Sequence, residues 1–252
     1  MRPLLAALLL LAAPAAVRAS EAAPGGQGEL LDQVVAVITP GGGRGMRTLV
    51  TRSDLELEAR VLLVSRGAAA AVREALPEDT LAAVLDWLVS EHLLLAEAEQ
   101  LEVAAVDPEA VARELAALAA RLEGGALEDF LLRHEVTEAD LARIFRRRVV
   151  VDGYVGSRLR LGMSISEAEV RRAFEARRAE FDGSSYEWVR PRLRAQLERE
   201  KREMLVAALV ADLRSRAEVR VLVHLGGDRR AAPESGKRPW YLPADAPQET
   251  AD

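Results

Sequence analysis

The chain has 252 residues, with 34 Lys and Arg against 40 Asp and Glu, a hydrophobic fraction of 50% and no cysteine. The absence of cysteine excludes disulfides, thiolate metal sites and a cysteine nucleophile, and the formal net charge of −6 argues against nucleic acid as a partner. A half-apolar composition with 29% charged residues is typical of a folded protein and not of a disordered one.

The beginning of the chain predicts a signal peptide over residues 1–19. Arg2 precedes an apolar stretch, and the segment ends in small residues at Ala19. The apolar stretch is shorter than the roughly 20 residues of a spanning helix and is followed by Pro14. We therefore expect cleavage after Ala19 and a secreted or periplasmic protein without stable membrane insertion.

Two short β-like segments follow the signal peptide. Residues 20–29, rich in Gly, Ala and Pro, predict a flexible leader. A β-branched run at 31–38 and a second one at 48–50, separated by a glycine-rich turn, predict a hairpin. A similar run occurs at 219–223. An isolated hairpin is only marginally stable, so we expect a third strand to join both ends of a body that spans residues 30–225.

Between these strands the pattern predicts helices almost throughout, so the expected fold class is mainly α. The helix over about 80–100 is apolar on most sides and should be the central buried one. The helix over 186–216 is the longest, should tolerate Pro191 only in its first turn, and is expected to pack back on the N-terminal part. Start signals are a cap at Thr51 or Ser53, the breaker Pro77, Asp107-Pro108-Glu109, Thr137 with Asp140, and Ser166 with Glu169.

The last part of the chain, residues 226–252, has no periodic apolar pattern and holds four of the eleven prolines. Such a composition predicts a disordered tail, because it offers too little apolar surface to offset the entropy of ordering.

The order of elements resembles the SurA family of periplasmic folding factors. The resemblance rests on "LLDQVVAVI…LVTRSDLELEARVLL", on "ISEAEVRRAFEARRAEF" and on the stretch from Val189 to Val223. It implies a multi-helix peptide-binding body of the SurA and trigger-factor type. Family members also carry parvulin-type prolyl isomerase modules, inserted where only four residues here separate Phe181 from Tyr186. That gap is too short for a domain, so we expect the isomerase to be missing.

The resemblance implies an ATP-independent chaperone whose partners are unfolded exported or outer-membrane proteins. We expect client contacts from aromatic side chains. Most of the few aromatic residues should be core, but Tyr154, Tyr186 and Trp188 lie beside glycines or the 182–185 loop and are expected to be exposed. The candidate peptide-binding residues are Phe130, Tyr154, Tyr186 and Trp188.

Two alternatives remain open: a divergent prolyl isomerase, and a non-catalytic assembly subunit with one dedicated partner. We predict no catalytic residue, cofactor or metal, since His92, His134 and His224 lack the spacing of metal ligands. The "PGGGRG" turn lacks the residue order of a phosphate-binding loop. The arginine pairs at 171–172 and 177–178 interleave with acids, as on a solvated helix face. With the acidic total charge, the run at 146–148 does not indicate nucleic acid either.

Overall fold

A computed structural model describes residues 32–42, 46–122, 126–181 and 183–225. The predicted signal peptide, the leader and the tail lie outside these residues, as does part of the glycine-rich turn.

The described part of the chain contains three β-strands and seven α-helices. Three short 3₁₀ segments, at Ala69–Val72, Arg160–Gly162 and Arg178–Phe181, connect some of them. In chain order the elements are β1 (Val34–Thr39), β2 (Thr48–Thr51), α1 (Arg52–Ser65), α2 (Glu78–Gln100), α3 (Pro108–Arg121), α4 (Ala126–Arg133), α5 (Glu138–Leu159), α6 (Glu167–Ala176), α7 (Tyr186–Arg216) and β3 (Glu218–Val221).

The three strands form one antiparallel sheet in the order β2-β1-β3. Ala36 at its centre pairs with Val50 on one side and with Val221 on the other. A register shift between Val34 and Ala36 turns the consecutive residues Val35 and Ala36 both into the core, which regular alternation does not allow. The predicted third strand is therefore confirmed, and the sheet joins the two ends of the described body.

The helices begin at the predicted start signals. Thr51 caps α1, Thr137 caps α5 and Ser166 caps α6, each as half of a reciprocal capping box with the acid three residues later. Asp107 caps α3 by accepting the Glu109 N–H at 2.9 Å. The mainly helical prediction is thus confirmed, since local capping chemistry agrees with the apolar pattern.

The prediction that the last helix tolerates Pro191 only in its first turn is wrong. Tyr186 is the first residue of α7, so Pro191 lies beyond the first turn, inside the helix. There its ring removes the hydrogen bond to the Glu187 carbonyl. Pro191 and Glu187 are both exposed, so solvent can replace the missing bond.

The main hydrophobic cluster packs the sheet against α2, the second half of α5 and α7. The predicted central position of α2 is confirmed, because this helix contacts α1, α5, α7 and β1. A second cluster joins α1, α3, α4 and the first half of α5, and a small third one joins α6 to α7. No helix among the described residues has the length and apolarity needed to cross a membrane.

The end of α7 is fixed against the N-terminal part of the chain. The Arg214 guanidinium donates from Nη2 to the Asp86 carbonyl at 2.6 Å and to Ser90 Oγ at 2.9 Å. Gly41 lies so close to Arg216 that an added Cβ would stand 2.5 Å from its carbonyl oxygen. The turn after β1 and the end of α7 are therefore in direct contact.

Candidate functional site

A cleft of about 260 Å³ lies beside β2, and we call it the β2 cleft. One wall is β2 and the other is formed by α1, α2 and the beginning of α5. Its lining residues are Thr48, Leu49, Val50, Asp54, Leu57, Glu58, Leu88, His92, Asp140, Arg143, Ile144 and Arg147.

The free edge of β2 faces this cleft. Thr48, Leu49 and Val50 are consecutive, and successive side chains of a strand point to opposite faces of its sheet. Their side chains therefore cannot all point into the cleft, but all three residues belong to the same strand edge. We infer that backbone N–H and C=O groups of this edge line the cleft. β2 pairs with β1 on its other side, and no further strand of the described chain pairs with it.

Apolar side chains surround this edge. Val50, Leu88 and Ile144 are buried and form the base of the cleft, and Leu57 is half-buried. Leu49 is 54% exposed, and Met46, two residues before β2, is 87% exposed. An apolar segment laid along β2 would therefore meet apolar surface as well as backbone partners.

The wall opposite β2 carries charges at the beginning of α5. Asp140 accepts the hydroxyl and the backbone N–H of Thr137, and these hydrogen bonds lower the pKa of the Asp140 carboxyl. Arg143, an exposed residue, forms an ion pair with Asp140. The rim therefore presents ionised groups beside the apolar base.

Four charged residues, which we call the ion cluster, lie in and beside the cleft: the buried Glu58 and Glu91 and the half-buried Arg147 and Arg148. Arg147 donates to Glu91 Oε2 at 3.0 Å and also contacts Glu58, while Arg148 donates to Glu58 Oε2 at 3.1 Å. The Arg148 guanidinium also lies over the Trp87 ring, 5.0 Å from its centroid. Two carboxyl groups thus contact two guanidinium groups inside the protein.

Burial dominates the protonation of the groups around the ion cluster. It raises the pKa of Glu91 to about 7, although Arg147 and Arg148 oppose the shift. Burial, with the nearby Arg147 charge, lowers the pKa of His92 to about 3. His92 is therefore neutral at physiological pH and lines the cleft as an uncharged ring.

Two of the predicted contact residues lie at the beginning of α7. Trp188 is 74% exposed, which confirms its expected exposure. Tyr186 is half-buried: its hydroxyl donates to Glu167, its ring packs against Phe174 at 5.4 Å, and Arg171 lies over it. Neither residue lines the β2 cleft.

The expected exposure of Tyr154 is wrong, and the fourth candidate residue, Phe130, is also inaccessible. Tyr154 is 3% exposed because it follows the buried Val150 and Val151 at helical spacing and shares their stripe on α5. Phe130 is 0% exposed, and its ring meets the His134 ring edge-on with 4.7 Å between centroids. Both side chains lie in core clusters and are not accessible to a binding partner.

The histidines do not converge. His134 Nε2 lies 3.3 Å from the Val72 carbonyl oxygen, and burial lowers the pKa of His134. His224 is exposed near the end of the described chain. Within the described ranges, no group of three or more His, Asp or Glu side chains is placed to hold a metal ion.

A second recess lies between α6 and α7, with a volume of about 450 Å³. Its apolar members are Ile165, Leu197 and Met204, of which Met204 is 63% exposed. Two of its charged residues have partners: Glu200 pairs with Arg177, and Lys201 donates to the Ser164 carbonyl at 2.8 Å. This groove offers no strand edge.

Sequence reasoning missed the ion cluster, although a signal was present. Glu58 stands three residues after Leu55 and four before Leu62, so it occupies an apolar stripe of α1. Glu91 has the same relation to Leu88 and Leu95 in α2. An acid on an apolar stripe needs a buried cationic partner, and adjacent arginines in another amphipathic helix could have supplied it.

Comparisons with known proteins do not indicate a family for this chain. No family model, curated protein or solved structure matches it. The roles assigned to its residues therefore rest on the geometry of the fold.

Proposed function

We propose that the mature chain is an ATP-independent periplasmic chaperone that binds extended apolar segments of unfolded exported or outer-membrane proteins. The observation that carries the proposal is that β2, an edge strand of the sheet, lines a cleft that also contains the buried apolar residues Val50, Leu88 and Ile144. The signal-peptide pattern and the SurA-like order of elements support the compartment and the class of client.

A free strand edge suits clients of unrelated sequence. An extended segment that pairs with β2 receives main-chain hydrogen bonds, which do not depend on its side chains. Alternate side chains of that segment would then reach the base formed by Val50, Leu88 and Ile144. Main-chain pairing would thus allow clients of many sequences to bind, while the side-chain contacts would favour clients with apolar residues.

Further apolar surface around the body supports weak contacts with long clients. Large exposed hydrophobic residues occur on several elements, as expected for a protein that must hold many sequences loosely. They are Met46, Leu49, Leu101, Val103, Leu132, Trp188, Met204, Val219 and Leu222.

The test is suppression of aggregation when an outer-membrane protein is diluted from urea into buffer containing the mature chain from residue 20. We expect Leu49→Lys to raise the concentration needed for half-suppression about five-fold or more, since a charge on an edge strand opposes pairing. Trp188→Lys is the matched control, because it places the same charge at an exposed apolar residue away from the cleft. Equal suppression by both variants, or none by the wild type at excess, would refute the proposal.

A prolyl isomerase is distinguished by the refolding of a protein limited by proline isomerisation. We expect the chain to leave that rate unchanged. A catalytic rate increase that one substitution in the chain abolishes would show an active site and contradict a purely binding role.

A dedicated assembly subunit is distinguished by chemical crosslinking in periplasmic extracts. The chaperone proposal expects crosslinks to many exported proteins, all reduced by Leu49→Lys. A single stoichiometric partner whose capture does not depend on Leu49 would favour the assembly subunit.

A further inference from the structure

We propose that the chain's own segment Trp240-Tyr241-Leu242 occupies the β2 cleft when no client is bound. The inference rests on the proposed function, because it concerns regulation of the same site. It makes the C-terminal segment an internal competitor of clients.

The sheet brings the beginning of this segment close to the cleft. β2 and β3 both run antiparallel to β1, so they point in the same direction and end on the same side of the sheet. β2 passes there directly into α1, whose Asp54 lines the cleft. Beyond β3, the Leu222 N–H donates to the Val35 carbonyl at 2.9 Å. The chain just after β3 is therefore held at the same end of the sheet at which β2 passes into α1, next to the cleft.

The connecting length is sufficient. Leu225 is buried in the main core and fixes the point from which residues 226–252 depart. About 14 residues separate Leu225 from Trp240, and extended chain covers roughly 3.3 Å per residue, or about 45 Å. β2 and β3 are only about 10 Å apart across β1. A tether of this length gives an effective concentration on the order of millimolar.

The composition of the segment fits the site. Trp240, Tyr241 and Leu242 are the only large apolar residues between 226 and 252. Pro239 and Pro243 bracket them, and a residue before proline favours extended backbone. The three bracketed residues keep their N–H groups and match the short β2, which has four residues.

Strand pairing, and not charge, distinguishes the two recesses. Asp140 of the cleft is paired with Arg143, just as Glu200 of the groove between α6 and α7 is paired with Arg177. Of these two recesses, the β2 cleft alone has a strand edge with which the segment can pair. The β2 cleft is therefore the better site for this segment.

Crosslinking can test the docking because the native chain has no cysteine. In the full mature chain, Leu49→Cys with Tyr241→Cys is expected to form an intramolecular disulfide under mild oxidation at least five times faster than the control. The control is Met204→Cys with Tyr241→Cys, which pairs the segment with an exposed residue of the other groove. Equal rates, or disulfides only between two copies of the chain, would overturn the proposal.

Client affinity supplies a readout that separates the two proposals. An uncharged, fluorescein-labelled apolar decapeptide should bind the Trp240→Ala, Tyr241→Ala double variant about three to ten times more tightly than the wild type, because the tethered competitor is removed. Equal, measurable affinity for both proteins would refute the internal competitor and leave the chaperone function standing. If neither protein binds the peptide while the disulfide still forms, the proposed function fails and the docking stands.

Discussion

Arg147 Nε donates to Glu91 Oε2 at 3.0 Å inside the protein, and this bond lies at the junction of the two large hydrophobic clusters. Along α5, residues 141–145 belong to the second cluster and residues 150–159 to the main one. Arg147 and Arg148 stand between them and connect α5 to α1 and α2. The ion cluster therefore fixes how the two cores meet.

We expect Arg147→Met to destabilise the fold strongly. The variant leaves Glu58 and Glu91 with Arg148 alone, and removing one partner of a buried ion pair costs about 3–5 kcal/mol. Urea unfolding followed by circular dichroism measures the loss. Arg143→Met is the matched control, because its ion pair with Asp140 is exposed and contributes less than about 1 kcal/mol. Similar losses for both variants would contradict a structural role of the ion cluster.

Glu91 should make the fold less stable as the pH rises towards neutrality. The pKa of Glu91 is about 7 in the folded chain, whereas its ordinary value, which applies to the unfolded chain, is 4.5. Between pH 4.5 and pH 7 the folded chain therefore holds a proton that the unfolded chain has lost. The stabilising contribution of this proton to the free energy of unfolding is complete below about pH 4.5 and is lost as the pH passes 7. The free energy of unfolding of Glu91→Gln, relative to wild type, should therefore rise from pH 5 to pH 8. Parallel curves would show that Glu91 does not titrate in this range.

His92 has the opposite effect on the pH dependence of stability: it makes the fold less stable as the pH falls. Its folded pKa of about 3 lies below the ordinary value of 6.5, so the unfolded chain binds a proton that the folded chain rejects. This contribution is complete above about pH 6.5 and falls with decreasing pH, by roughly 1–2 kcal/mol at pH 5. His92→Gln should reduce the loss on acidification, while His224→Gln, at an exposed position, should follow the wild type. Equal acid sensitivity of all three proteins would contradict the burial of His92.

Phe130→Ala should destabilise the chain by about 3–5 kcal/mol, because the variant leaves a cavity in the second hydrophobic cluster. Trp188→Ala should change the free energy of unfolding by less than about 0.5 kcal/mol, since that side chain is largely exposed. Thermal and urea unfolding of the two variants provide the comparison. The reverse order would show that Trp188, and not Phe130, belongs to the core.

Gly41→Ala should weaken the contact between the turn after β1 and α7. The new methyl group would meet the Arg216 backbone, which cannot move as a flexible side-chain end would. We expect a loss of about 1–3 kcal/mol. Gly153→Ala is the matched control, since nothing lies within 4 Å of its added Cβ. That helical position should gain about 0.5–1 kcal/mol. A neutral Gly41→Ala would indicate that the turn can separate from α7 without cost.

The sequence predicted the elements well where the signal was local. Capping pairs such as Thr137 with Asp140 identify helix starts, and β-branched runs identify the strands, because these features act within a few residues. The tolerance of α7 for Pro191 was not predicted, because the cost of a proline depends on whether the freed carbonyl reaches solvent, and that is a property of the packed helix.

The candidate site was much less predictable. Tyr154 was expected to be exposed from its neighbouring glycines, but the stripe shared with Val150 and Val151 decides its burial. The β2 cleft depends on which side of β2 pairs with β1 and on where α5 packs, and neither relation is local. Aromatic residues therefore pointed to α7, whereas the cleft is built mainly from aliphatic and charged side chains.

The pairing of β1 with β3 also determines how the body responds to mechanical force. The beginning of β1 and the end of β3 are neighbours in an antiparallel ladder, so the chain segments before and after the body leave side by side. A pull on these two segments loads the ladder hydrogen bonds one after another, as in opening a zipper, instead of shearing them together. Separation of β1 from β3 would expose Val35, Ala36 and Ile38, which belong to the main hydrophobic cluster, so the sheet and that cluster would open together.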